Sequence, residues 1–303
     1  MPLDISIGIA EKLMNTNRGH CDLLQIHPAL GILRLAALSA AQDGALDGET
    51  LDIMFEQVET GRLAELPPAE IWSELYPGLM AQTPSNMFHA LYASGALQDI
   101  LPEVSALFGV PQIAGDPPQV DIGLHLLRVL DETARSRAPL AVRFTALVMN
   151  VGKSDSPPEH LPVHYRHVER GRPRIKMIAE RFGLTEDCLD LALLALVEYE
   201  RVHRVSEVRA GPIAAMLERL GAFNNPERFS LLMMLCACDY RAYGASGDYP
   251  KAAMLTDALK ACRTIDEEAI VAGLGPSDAL DALQEAKAVA IAAALRSERW
   301  SAT

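Results

Sequence analysis

Apolar residues recur along most of the chain at intervals of three and four positions, the spacing that places them on one face of a helix. Residues 28–42 read PALGILRLAALSAAQ and open with Pro28, which suits the first turn of a helix. We find no convincing pair of segments with the alternating pattern of half-buried strands. The pattern therefore predicts an all-α protein, built as a bundle or array of helices.

The predicted helices follow one another through the chain and are separated by segments rich in proline and glycine. The segment FGVPQIAGDPPQ is one predicted loop, and residues 154–162 are another. Near residue 113 we divide the chain into a smaller N-terminal helical region, 1–112, and a larger C-terminal bundle, 113–303. The predicted helices cover residues 28–42, 48–58, 68–80, 84–94, 119–134, 138–149, 172–182, 185–200, 210–220, 225–241, 249–262 and 276–297.

Composition bounds the class of protein. Half of the 303 residues are hydrophobic, so a large core can be buried, and the abundant Ala and Leu favour helix. No run of 18 or more apolar residues occurs, and the start of the chain lacks the order of a signal peptide. The five cysteines show no disulfide-framework spacing. We therefore expect a cytoplasmic protein that does not enter a membrane.

The formal net charge is −13, so the chain as a whole should repel a phosphate backbone, and broad nucleic-acid binding is not expected. One stretch reverses this sign. Residues 164–176 read HYRHVERGRPRIK, with a single acidic residue, Glu169. Such a run indicates either a pocket for an anionic ligand or a solvated helix start whose arginines pair with surface carboxylates. The basic residues of this stretch are Arg166, Arg170, Arg172, Arg174 and Lys176.

A series of motifs, matched in order and spacing, resembles bacterial CCA-adding tRNA nucleotidyltransferases over roughly residues 28–295. The resemblance is to the neck and body helices and to the HD-type phosphohydrolase domain of that family. It implies an HD-domain-like fold for the C-terminal bundle. The motifs are GALQDILPEVSALFGVPQ at 95–112, DIGLH at 121–125, VRFTAL at 142–147, Gly152-Lys153, Pro157-Pro158-Glu159, His164, His167, Gly171, DYR at 239–241 and DYP at 248–250.

The same family has an N-terminal nucleotidyltransferase head, a sheet domain with paired metal-binding aspartates. Nothing in this sequence looks like that head, and only about 27 residues precede the neck-like region. In the neck, Arg34 alone clearly survives from the residues that help to read the incoming nucleotide. Two-metal phosphoryl transfer needs the missing carboxylates. We therefore expect no nucleotidyltransferase activity from this chain.

The resemblance also implies a divalent-metal site formed by a first histidine, an adjacent His-Asp pair and a distant aspartate. His125 occupies the first position and Asp239 the last, but Met149 and Asn150 replace the pair. Methionine is a poor ligand for hard divalent cations, and asparagine offers a neutral amide oxygen in place of a carboxylate. We therefore expect no bound metal and no other cofactor, with His125, Asn150 and Asp239 as remnants of the site.

Some histidines that the resemblance assigns to phosphate handling are retained, namely His164, His167 and His203, whereas Tyr165 and Tyr199 stand where the family has histidines. His164 and His167 are candidate proton donors to a leaving oxygen. His203 joins the basic residues of 164–176 as a candidate phosphate ligand. For each histidine, an ordinary packing or surface role is the alternative.

Three functions stay open. We favour a non-catalytic binding or regulatory protein that holds a phosphate-bearing small molecule, an RNA end or a protein partner. An alternative is a metal-dependent phosphohydrolase, either a phosphatase or a 2′,3′-cyclic phosphodiesterase, using Mg²⁺, Mn²⁺ or Ni²⁺. A third is a structural or interaction protein. The Ala-rich helix at 277–295 would then pack against a partner or a second copy in a homo-oligomer, instead of covering its own bundle.

Overall fold

In a computed structural model, the described residues are 24, 26–41, 44–115 and 117–301, with 296–301 described by their backbone alone. Helix is the main element in these residues, so the predicted all-α class is confirmed. The chain divides between Leu193 and Leu194 into two compact units. The division that we placed near residue 113 lies inside the first unit, where helices from both sides of it pack together. Trp72 stacks on Phe182 there, with ring centroids 5.5 Å apart.

The first unit contains a succession of helices and one short hairpin. Helix α10 (Glu186–His203) begins in this unit and ends in the second. The helices that lie wholly in the first unit are α1 (Pro28–Ala41), α2 (Gly48–Val58), α3 (Pro68–Leu79), α4 (Pro84–Ala93), α5 (Ala96–Ile100), α6 (Pro102–Ser105), α7 (Ile122–Arg135), α8 (Leu140–Val148) and α9 (His167–Phe182), with a 3₁₀ turn at Pro158–His160.

The second unit is helical in all its regular elements among the described residues. They are the end of α10, a 3₁₀ turn at Val205–Glu207, α11 (Ala210–Arg219), α12 (Pro226–Ala242), α13 (Pro250–Arg263), α14 (Glu267–Val271) and α15 (Pro276–Ser301). Four cysteines of the described chain are buried and unbridged, as packing residues would be.

Local chemistry explains where most helices start. Prolines occupy the first turn of several helices, where their missing amide costs no hydrogen bond. The carboxylate of Asp121 caps α7 by accepting a 2.8 Å hydrogen bond from the amide of Leu124. It also accepts from the amide of Gly109, at 2.5 Å, and so fixes the entry to the helix. Such signals are local, and the sequence predicted these starts to within a few residues.

The proline-rich segment between α6 and α7 differs from the prediction. Two three-residue strands, β1 (Pro111–Ile113) and β2 (Gln119–Asp121), pair there in antiparallel register, with Gln112 opposite Val120. Our expectation of a loop without strands was therefore wrong at this point. Three residues are too few to show alternation, and the pairing is supported by tertiary contacts, including a hydrogen bond from the buried Lys153 to Gln112.

Helix α9 begins at His167, five residues before the predicted start at 172. We had placed the start beside Pro173, which lacks the amide that an interior helical residue donates. The structure carries the helix through Pro173 because the preceding turn is held from outside. Gly152 and Gly171 approach closely there, as described below. The short helices α5, α6 and α14 were also not predicted.

Buried charged side chains tie helices together within each unit. In the first, Arg143 donates to the carbonyls of Leu79 and Ala81, which satisfies acceptors at the end of α3, and to that of Ala138 before α8, all at 2.9–3.0 Å. In the second, α15 packs on α11 and α13, and its Lys287 donates to Glu218 at 2.6 Å. Helix α15 thus covers its own unit. Among the described residues, no helix combines the length and the apolar character needed to cross a bilayer.

Candidate functional site

In the first unit, the loop after α8 lies directly against the first turns of α9. A β-carbon built on Gly152 would lie 2.0 Å from the carbonyl oxygen of His167 and 2.6 Å from the amide nitrogen of Gly171. Only glycine allows two backbone segments to approach this closely. The Gly152 and Gly171 of the family motif therefore mark a contact between main chains.

Two arginines of the basic stretch hold this loop. Arg170 donates to the carbonyl of Gly152 at 2.9 Å and to the hydroxyl of Ser156 at 3.0 Å. Arg174 donates to the carbonyl of Val151 and to the hydroxyl of Ser154, both at 2.9 Å. Both guanidinium groups are thus engaged with their own chain, and they position the loop at 151–156.

Arg174 also binds the carboxylate of Asp155. This hydrogen bond lowers the pKa of Asp155 below its usual value, although partial burial works in the opposite direction. The carboxylate that neutralises Arg174 was not part of the sequence-predicted site. A charged pair of this kind favours the second interpretation of the basic stretch for Arg174, in which arginines pair with nearby carboxylates.

His164 and His167 hold the segment that precedes α9. The ring of His164 lies between the hydroxyl of Ser156, 2.8 Å from Nδ1, and the carbonyl of Pro111, 3.0 Å from Nε2. Because a carbonyl can only accept, Nε2 carries a proton, and Nδ1 accepts from Ser156 in the neutral ring. The Nδ1 of His167 donates to the carbonyl of His164 at 2.8 Å. The candidate proton donors thus make hydrogen bonds with their own chain.

The remaining basic residues of the stretch, Arg166, Arg172 and Lys176, are exposed. Arg172 and Lys176 lie four residues apart on α9, and the exposed Glu169 and Glu180 flank them at helical spacing. Arg166 differs, because it precedes the helix and has a positive φ of 57°.

The remnants of the metal site belong to different units. In the first, His125 lies on α7, and Met149 and Asn150 follow the end of α8; all three are buried. Asp239 lies on α12 of the second unit and is also buried.

Asp239 has aromatic partners within the second unit. The hydroxyl of Tyr199 hydrogen-bonds the carboxylate, and Nε2 of His203 lies 3.5 Å from its Oδ2. On the other side of the His203 ring, the hydroxyl of Tyr249 lies 2.9 Å from Nδ1. Burial, together with the negative charge of Asp239, raises the pKa of Tyr199 well above its usual range. Tyr199 therefore stays a neutral hydrogen-bond donor to Asp239.

Two of the four positions lack the ligand types that the resemblance implies, because Met149 and Asn150 stand there. Among the residues that the structure describes, no group of three or more His, Cys, Asp or Glu side chains is placed to hold a metal ion. The expected absence of a metal remains a prediction.

Three relatives place this chain among known proteins. Each is named multifunctional CCA protein. The protein of Paraburkholderia phymatum is 38% identical over 270 residues, which are 87% of this chain and 64% of the relative. That of Verminephrobacter eiseniae is 39% identical over 88% of this chain and 67% of the relative. That of Nitrosomonas eutropha is 39% identical over 90% of this chain and 67% of the relative.

The chain belongs to the multifunctional CCA protein family. It spans about two thirds of the length of these relatives. These three matches confirm the resemblance that the motifs indicated. No protein-family model matches the chain. The roles of individual residues in this CCA-family chain remain predictions.

Sequence reasoning missed several residues of these two clusters. Ser156 links Arg170 to His164, and Tyr249 contacts His203. Tyr249 was part of the DYP motif, so the motif contained a signal that we did not assign. Ser156 carried no signal, because a single serine in a proline-rich loop has no distinguishing spacing.

Proposed function

We propose that this CCA-family chain binds the single-stranded end of an RNA, such as the 3′ end of a tRNA, and does not hydrolyse it. The observation that carries the second part is the pair Met149 and Asn150, which stands where the resemblance implies a His-Asp pair of metal ligands. A thioether and a neutral amide are weak partners for a hard divalent cation, and hydrolysis by a metal-bound hydroxide requires such a cation.

The RNA part of the proposal is supported by the family. Relatives named CCA proteins match 87–90% of this chain, and the family that the motifs resemble acts on tRNA. The net charge of −13 argues against extended contacts with a duplex and favours a small local site. An RNA end needs only such a site, because a few bases and phosphates make all the contacts.

Binding can be measured by titrating the protein with a tRNA that ends in CCA and with a DNA duplex of similar length. We expect saturable binding of the tRNA and much weaker binding of the duplex at the same salt concentration. Equal affinities would show a general electrostatic attraction and would contradict the proposal. If the protein binds neither the tRNA nor the duplex, the proposal that it binds RNA is wrong.

The absence of hydrolysis needs a separate assay. We expect no turnover of 2′,3′-cyclic or terminal phosphates with Mg²⁺, Mn²⁺ or Ni²⁺, and less than one equivalent of metal in the purified protein. The paired variant Met149→His with Asn150→Asp restores the residue types that the family has at these positions. Stoichiometric metal and turnover in the unaltered protein would establish the phosphohydrolase instead.

A further inference from the structure

An aromatic and a basic side chain project into solvent beside the N-terminus of α9. Tyr165 is 60% exposed, and Arg166 is exposed next to it. The exposed His160 meets the ring of Tyr165 edge-on, with centroids 5.3 Å apart and an interplanar angle of 89°. We call Tyr165, Arg166 and His160 the stacking patch.

The backbone under the stacking patch is held on both sides. His164 is fixed by Ser156 and Pro111, and His167 donates to the carbonyl of His164. His164 and His167 therefore fix the backbone on either side of the exposed Tyr165 and Arg166. A pre-positioned ring loses less conformational freedom on binding than a mobile one.

Arg166 occupies a position where another residue would suit the fold better. Its φ of 57° lies in the left-handed region, where glycine and asparagine are tolerated most easily. The fold alone would be served by either of those residues. An arginine at this position gives the surface a guanidinium group beside an exposed aromatic ring.

From these contacts we infer that the stacking patch binds a terminal nucleotide of single-stranded RNA, with a base on the ring of Tyr165 and its phosphate on Arg166. This inference rests on the proposed function and names the site. Every base has a π-face, so an exposed aromatic ring accepts bases without reading sequence. A guanidinium binds phosphate through charge-assisted hydrogen bonds and needs no metal.

The surroundings agree with a small site. From 159 to 176 the chain has five basic residues against two acidic ones, within a protein of net charge −13. Arg170 and Arg174 are engaged with the loop at 151–156 and act as positioning residues. Arg172 and Lys176 lie further along α9, whereas Arg166 precedes the helix and adjoins Tyr165, so Arg166 is the basic residue best placed to meet the phosphate of a base stacked on that ring.

Fluorescence anisotropy with a labelled single-stranded RNA ending in CCA tests the ring. We expect Tyr165→Ala to weaken binding by roughly tenfold or more, as loss of a base–aromatic stack does. Tyr165→Phe keeps the ring and should bind within about twofold of the unaltered protein. Tyr76→Ala removes an exposed tyrosine of α3 in the same unit and is the matched control.

The same assay tests the charge. Arg166→Asn removes the guanidinium and keeps a residue that tolerates the positive φ, so folding should be preserved, as circular dichroism can verify. We expect a loss of roughly fivefold or more and a weaker salt dependence. Arg172→Ala removes an equal charge from the neighbouring helix surface and should have a smaller effect.

The outcomes separate this inference from the proposed function. If tRNA binds but Tyr165→Ala binds the RNA as tightly as Tyr165→Phe does, the stacking patch is wrong and the proposed function stands. Equal losses in Arg166→Asn and Arg172→Ala would indicate diffuse attraction and would also overturn the patch. If the unaltered protein binds neither the tRNA nor the labelled single-stranded RNA, the proposed function fails, and the inference fails with it.

Discussion

The two compact units use the polar residues of the predicted site in different ways. In the first, Arg170 and Arg174 donate mainly to main-chain carbonyls and to serine hydroxyls of one loop. In the second, Asp239, His203 and Tyr199 contact one another through their side chains. The first arrangement fixes the path of a backbone, whereas the second satisfies a buried charge.

This difference shows that a retained residue type does not by itself reveal what the residue does. An arginine in a basic stretch is not thereby available to a ligand, because two of the five basic residues between 164 and 176 bind their own loop. An aspartate retained from a metal site is not thereby a ligand, because Met149 and Asn150 stand where the resemblance implies two further ligands. In both units the neighbours decide the role of the residue.

The contact between main chains in the first unit should be the most sensitive feature. Gly152→Ala places a β-carbon against the backbone of His167 and Gly171, which cannot move as a side chain can. We expect a loss of about 3 kcal/mol or more in the free energy of unfolding, measured by urea titration with circular dichroism.

Gly115→Ala is the control for this loss, because a β-carbon at Gly115 has no heavy atom within 4 Å. It should change the free energy of unfolding by less than about 1 kcal/mol. Equal stability of Gly152→Ala and the unaltered protein would show that the loop does not dock on α9 as described.

The side-chain network of the second unit should be less sensitive. Tyr199→Phe keeps the ring and removes one hydrogen bond to a buried carboxylate that still faces His203. We expect a loss of about 1–2 kcal/mol, because a hydrogen bond to a charged group is worth slightly more than a neutral one. Hydrogen exchange should increase in peptides from 199–249 and stay unchanged in those from 151–176.

Tyr76→Phe removes the hydroxyl of an exposed tyrosine and should change neither the free energy of unfolding nor hydrogen exchange. If Tyr199→Phe is equally neutral, Asp239 does not depend on Tyr199, and the hydrogen bond between them is not formed as described.

The ion pair at the edge of the first unit should have the smallest effect. Asp155 is half exposed and binds Arg174, so Asp155→Asn should cost less than about 1 kcal/mol at neutral pH. Because the pKa of Asp155 is lowered in the folded state, the ion pair contributes fully to stability at pH values above the unfolded-state pKa of about 3.9. This contribution is lost as the pH falls through the lowered pKa of the folded state.

Urea midpoints of Asp155→Asn and the unaltered protein, measured from neutral to acidic pH, test this sign. The two curves should differ slightly at neutral pH and converge under acid conditions. A difference that stays constant or grows as the pH falls would contradict the proposed pairing of Asp155 with Arg174.

Much of the fold was accessible from the sequence, but less of the site was. Periodicity and prolines located α4 and α12 to within about a residue. The motifs identified the family. The paired roles of Ser156 and Tyr249 were not accessible, because the partners lie 8 and 46 residues away along the chain. The early start of α9 was missed because Pro173 is a strong local signal against an interior position.

The sequence by itself determined the all-α class, most helix starts and the family, because propensity, capping and motif spacing act over a few residues or persist along the whole chain. The tertiary structure alone decided which polar groups face inward. It turned Arg170 and Arg174 toward a loop, gave Asp239 a tyrosine partner, and left Tyr165 and Arg166 exposed. The physical reason is that a hydrogen bond depends on distance and direction in space, which residue identity does not specify.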